Sequence, residues 1–122
     1  MARFRHLPIW KTALELAVHL EQAVRRFPRY HKYTLGSELR QTAQRICRLV
    51  ARVNEARDAG RVAALEELVG AVEEMKTLLT LAQEIKAFGH FNDFAAAAEL
   101  TVSLGKQSGG WRRRVRPEAS AL

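Results

Sequence analysis

Between Tyr33 and Asn54 the apolar residues Leu39, Ile46, Leu49, Val50 and Val53 recur at intervals of three, four and seven, which places them on one broad face of an α-helix. In the same stretch Arg45, Arg48 and Arg52 fall within about 60° of one another on a different face. One helix therefore carries both a core seam and a basic stripe. The rest of the chain must supply what covers the seam.

Three further segments show the same spacing. A first helix is expected from Pro8, a residue suited to the first helical turn, to Phe27 before Pro28, with Trp10, Leu14, Ala17, Val18 and Val24 one turn apart and Leu16 and Leu20 widening the face. Such breadth implies burial on more than one side. The seam-bearing second helix opens at Thr34 or Ser37, either able to cap free N–H groups, and runs to Ala59, with Gly60 as its stop. A third spans about 61–88, its stripe formed by Leu65, Leu68, Val69, Val72, Met75, Leu78, Leu79, Ala82 and Ile85. Asn92 and Asp93 are candidate caps for a fourth, running from Phe94 to Ser108. This last helix is rich in small side chains, which permit close backbone approach, and Gly109 and Gly110 end it. Trp111 then pins a short basic tail, about 112–122, to the body. Four helices joined by short turns form an all-α, up-down-up-down antiparallel four-helix bundle, and 122 residues make one domain.

Charge is the second constraint. The net charge is +7 and the isoelectric point near 10.3, with arginine, a bidentate partner for phosphate and carboxylate, dominating. Arg25, Arg26, Arg29, Lys32, Arg40, Arg45, Arg48 and Arg52 are opposed between Arg25 and Arg52 only by Glu38, so this segment equals the whole excess. Tyr30, His31 and Tyr33 lie among the cations of the first connection, a mixture able to stack on bases and meet phosphates. The competing role is local: the arginines complement the carbonyl end of the first helix while the tyrosines staple the turn. The Arg45, Arg48, Arg52 stripe has no acidic neighbour at three or four residues before Glu55, unlike a solvated face of mixed sign. Arg112, Arg113 and Arg114 in the tail are either a solubilising extension or a phosphate-binding arm.

No catalytic or metal-binding constellation emerges. Glu15 and His19 read as a surface pair without a third ligand, and Glu66, Glu67, Glu73 and Glu74 as solvated acids, with no histidine in the third helix to complete a bundle metal site. Cys47 is the single cysteine and reads as a small buried hydrophobe. Neither a signal peptide nor a membrane-spanning run is seen, so a cytoplasmic protein without cofactor, and not an enzyme, is expected.

The residues Lys32-Tyr33-Thr34-Leu35-Gly36, with the preceding Phe27-Pro28-Arg29, the arginine-rich helix closing on Asn54-Glu55-Ala56, and Leu104-Gly105-Lys106-Gln107-Ser108-Gly109-Gly110-Trp111, resemble the accessory variability determinant of diversity-generating retroelements. That family is related to the four-helix bundle proteins encoded in intervening sequences of bacterial 23S ribosomal RNA genes. The resemblance covers roughly Leu7 to Val115. It implies a homopentameric barrel that binds the retroelement's reverse transcriptase and its template RNA or cDNA, as a non-catalytic partner in mutagenic retrohoming. Arg45, Arg48 and Arg52 then match basic positions of the family's second helix, and Gly110 with Trp111 its terminal element. The alternative is the intervening-sequence type, an RNA-binding bundle without a polymerase partner. A bundle enzyme or metal carrier is a third class, which metal analysis discriminates.

Overall fold

The computed structural model describes residues 3–115. A 3-10 turn, Arg3–His6, leads into α1 (Pro8–Arg25); a single helical turn, α2 (Arg29–Lys32), precedes α3 (Leu35–Glu55), α4 (Asp58–Glu84) and α5 (Phe91–Val115). The described residues contain no strand. Each long helix packs on two others, α1 on α3, α3 on α4, α4 on α5 and α5 on α1, forming a closed ring. Neighbours run antiparallel: the end of α1 meets the start of α5 through Arg26 and Asp93, and the start of α1 meets the end of α5 through Thr12 and Gln107. The architecture is a four-helix bundle, in agreement with the apolar periodicity.

The core follows the seam. Leu39, Ile46, Val50 and Val53 of α3 are inaccessible to solvent, as are Leu16 and Leu20 of α1, Leu65, Leu68 and Met75 of α4, and Leu104 of α5. Burial of this kind contributes about 1.5–3 kcal/mol per large aliphatic side chain. Leu14 and Val18 of the broad α1 face stay 45% and 50% exposed, whereas α1 buries Ile9, Ala13 and Ala23. Of the expected α4 stripe, Ile85 lies past the helix end and is 40% exposed.

Helix ends differ from the sequence reading for specific physical reasons. Thr34 does precede α3, but its hydroxyl donates back to the carbonyls of Tyr30 and His31, at 3.3 Å each, instead of capping forward. α3 stops at Glu55, not Ala59. Arg61 reaches back and donates from Nε to the carbonyls of Val53 and Ala56 (3.1 and 3.0 Å) and from Nη2 to that of Asn54 (3.0 Å), so a side chain satisfies the carbonyl end that a glycine was expected to close. Gly60 instead lies in the first turn of α4.

α4 ends at Glu84, short of Phe88. The N–H of Lys86 donates to Gln83 O and that of Ala87 to Ala82 O, and Lys86 has φ 59°, a Schellman ending with lysine at the left-handed position glycine usually fills. α5 continues through Gly109 and Gly110 to Val115. Trp111 and Val115 pack against the core and Arg112 reaches Glu66 on α4 at 3.3 Å, so tertiary contact overrides the weak helix propensity of the glycines. The expected tail is therefore helical as far as Val115; its remainder, residues 116–122, lies outside the described residues.

α1 and α3 approach tightly at Gly36. A Cβ on Gly36 would stand 2.7 Å from Val24 Cγ1 and 3.3 Å from the His31 carbonyl, and Val24 is fully buried with a stiff, branched side chain. Gly36→Ala is expected to destabilise, because overpacking of about 1–3 kcal/mol outweighs a propensity gain of about 1 kcal/mol. Gly70→Ala, in α4 with nothing within 4 Å of an added Cβ, keeps the propensity gain alone. Thermal unfolding of the two variants should shift in opposite directions.

Candidate functional site

The seam of α3 faces inward, which turns Arg45, Arg48 and Arg52 outward along about 10 Å of helix. All three are exposed, but two are not alone. Glu67 of α4 lies between them, with Oε1 3.7 Å from Arg45 Nη2 and Oε2 3.3 Å from Arg52 Nη1. The absence of acidic neighbours holds within α3; the carboxylate arrives from the adjacent helix. Three guanidinium groups against one carboxylate leave the stripe at +2, with Arg48 free of any ion pair among the described residues. At 44–59% exposure of the paired side chains, these pairs are worth no more than about 1 kcal/mol each and remain open to exchange with a competing anion.

Beside the stripe, Cys47 is half-buried. Burial pushes its thiol upward, and the charge of Arg48, which favours thiolate, only partly offsets that. Cys47 behaves as a packing residue at neutral pH.

The second cluster sits about 15 Å away, at the α1–α3 connection. Arg25 and Arg29 are exposed and Lys32 half-buried, all without an ion pair among the described residues. Tyr30 and Tyr33 are 86% and 69% exposed, so they do not staple the turn; their rings stand in solvent among the cations. Arg26 has a different role from the one expected. Its Nε and Nη2 both donate to Asp93 Oδ2, at 3.1 and 2.9 Å, tying the end of α1 to the first turn of α5. His19 adds to this tie by donating from Nε2 to the Asp93 carbonyl at 2.8 Å, and among the described residues it forms no ion pair with Glu15, its expected partner. Asp93 thus joins two helices where a cap was expected.

The third cluster lies at the opposite end of the bundle. Arg112 is held by Glu66, while Arg113 and Arg114 are exposed on the last turn of α5. The ten candidate cations thus occupy both ends and one flank, not a single patch. Among the described residues, no group of three or more His, Cys, Asp or Glu is arranged to hold a metal ion, and no helix is long and apolar enough to cross a membrane. Sequence reasoning passed over Arg61, whose contact with the end of α3 has no periodic signature. No protein-family model matches the chain, and no curated protein matches it.

Because Glu67 alone holds down the stripe's charge, Glu67→Gln should strengthen retention on a phosphate-bearing resin, moving elution to higher salt. Stability should change by no more than about 1 kcal/mol in denaturant unfolding. Unchanged elution would mean the stripe does not face the resin.

Proposed function

We propose that this chain is a non-catalytic accessory protein of a diversity-generating retroelement, binding the reverse transcriptase and its template RNA or cDNA to support mutagenic retrohoming. The observation that carries the reading is the exposed, net-cationic flank of α3, where Arg45, Arg48 and Arg52 face a single carboxylate. Exposed Tyr30 and Tyr33 beside Arg25, Arg29 and Lys32 add stacking surfaces of the kind single strands use. The four-helix architecture is compatible with the family that Lys32 to Gly36 and Leu104 to Trp111 resemble.

In this reading the protomer is a building block of a homopentamer. Leu14 and Val18 on α1, and Phe91 and Val102 on α5, are large apolar side chains left 45–65% exposed in the isolated chain, and contact between copies would cover them. Five copies would carry a formal +35, from +7 each, a field suited to steering a polyanion. The cytoplasm, where both RNA and polymerase are found, is the compartment this role requires.

Two outcomes are expected. Reversing Arg45, Arg48 and Arg52 together to Glu should abolish RNA retention and retrohoming while leaving helicity and assembly intact; because three single-strand phosphate contacts contribute a log–log salt slope of roughly −2, the variant should also lose that slope. Wild-type retention by the variant would overturn the assignment of the stripe. Light scattering should report a particle of about 69 kDa, five times 13.8 kDa, and a persistent monomer would remove the ring. Copurification with the reverse transcriptase, with and without RNA, distinguishes the polymerase partner from an RNA-only role.

A further inference from the structure

At the end of the bundle opposite the tyrosines, the starts of α1 and α4, the end of α3 and the last turns of α5 leave a cleft of about 430 Å³, within the range of small-molecule sites, about 300–1,000 Å³. Its character is mixed in a particular way. Leu7, Pro8 and Ile9 provide an apolar wall, Trp111 an aromatic surface, and Arg61, Lys106 and Arg114 three cations, with no carboxylate lining it among the described residues. A ligand complementary to it is flat and weakly polar at one end and anionic at the other.

The cations are arranged differently from those on the flank. Arg61 is fixed in place by three hydrogen bonds to the carbonyl end of α3, so its charge is held at the cleft with little side-chain freedom left to lose on binding. Gln107 donates from Nε2 to Thr12 and Ser103 Oγ atoms, both at 3.0 Å, which commits its amide hydrogens and leaves its oxygen as an acceptor in the lining. The α1 end here has no side-chain cap and no acidic residue in its first turn, which leaves its positive end open to an anion, whereas the carbonyl ends of α3 and α5 beside it act against one and must be outweighed by the three cations.

Two successive glycines within a helix cost about 1 kcal/mol each relative to alanine, and Gly110 lines the cleft. A Cβ there would lie 3.5 Å from Arg114 Nη1 and 3.7 Å from Arg113 Nη2, ordinary contacts that an alanine would also tolerate.

We infer that this cleft is a nucleotide-binding site, seating a base against Trp111 and a phosphate among Arg61, Lys106 and Arg114. The nucleotide is either free or the phosphorylated end of a strand; the recognising chemistry is the same. The inference shares with the proposed function only its nucleic-acid chemistry, and uses a surface distinct from the α3 flank.

The test is a fluorescence titration of the full chain carrying Trp10→Phe, which leaves Trp111 as the sole indole while preserving an aromatic ring against Phe4. The probes are AMP, UMP, inorganic phosphate, and a mixed-sequence hexanucleotide with and without a 5′-phosphate. Saturable quenching by the mononucleotides identifies a free-nucleotide site; quenching only by the 5′-phosphorylated hexanucleotide identifies a strand-end site. Either supports the inference. In that background Arg114→Glu and, separately, Lys106→Glu should weaken binding about tenfold or more, with helicity confirmed by circular dichroism. Arg113→Glu, an equal charge change one residue away but outside the lining, should change it less than about twofold. No quenching by any probe, equal losses at 113 and 114, or inorganic phosphate competing as well as AMP would overturn the inference. Reversal of Arg45, Arg48 and Arg52 should leave the quenching in place. Loss of RNA retention with quenching intact therefore leaves the cleft standing, and retention without quenching removes the cleft alone.

Discussion

Each long helix in this protein has one stripe apolar enough to leave water, and a helix with one such stripe is not stable by itself at these lengths. Closing four stripes on each other gives every helix two flanking partners and one dry interior, around Leu20, Leu39, Ile46, Leu68 and Met75. The closure has a tight point. Val24 and Gly36 meet where no larger residue fits, and that contact sets how near α1 comes to α3 and which face α3 turns outward. The outward direction of the arginine stripe is therefore a consequence of packing on the other side of the same helix.

Charge is redistributed by the same closure. Asp93 draws Arg26 away from the α1–α3 connection, Glu66 draws Arg112 to α4, and Glu67 shares itself between Arg45 and Arg52. Among the described residues, the cations left without an ion pair are more informative than the formal +7, and they include Arg48 on the flank, Arg25, Arg29 and Lys32 among exposed tyrosines, and Arg114 with Lys106 beside Trp111. Exposed pairs of this kind exchange readily with solvent ions. The surface that a polyanion meets thus consists of unpaired cations with partly occupied ones between them.

Much of this was legible in the residues. The three-and-four spacing of Leu39 to Val53 and of Leu65 to Ala82 gave the helices, their number and their inward faces, because apolar periodicity reflects burial directly. Ends were less legible. Gly60 and Gly109-Gly110 read as stops because glycine is a poor helix former, yet the first opens α4 and the second is held by Trp111 and Arg112, contacts formed with distant residues. Lys86 ends α4 without advertising it, since lysine seldom takes a left-handed conformation. The basic stripe was visible along one helix, but its counter-charge Glu67 was not, because it faces α3 from a different helix. The cleft could not be read at all: its lining converges from four helix ends, and no local pattern encodes that convergence.

The grip of Arg61 on Val53, Asn54 and Ala56 also bears on the order in which the chain comes together. These hydrogen bonds span only five to eight residues, and the α3–α4 turn they close has just two residues outside helix, so the loop-closure entropy of this hairpin is small. Docking α1 against α5 instead requires contacts such as Thr12 with Gln107, 95 residues apart. The hairpin therefore closes at a smaller entropic cost than the pairing of α1 with α5.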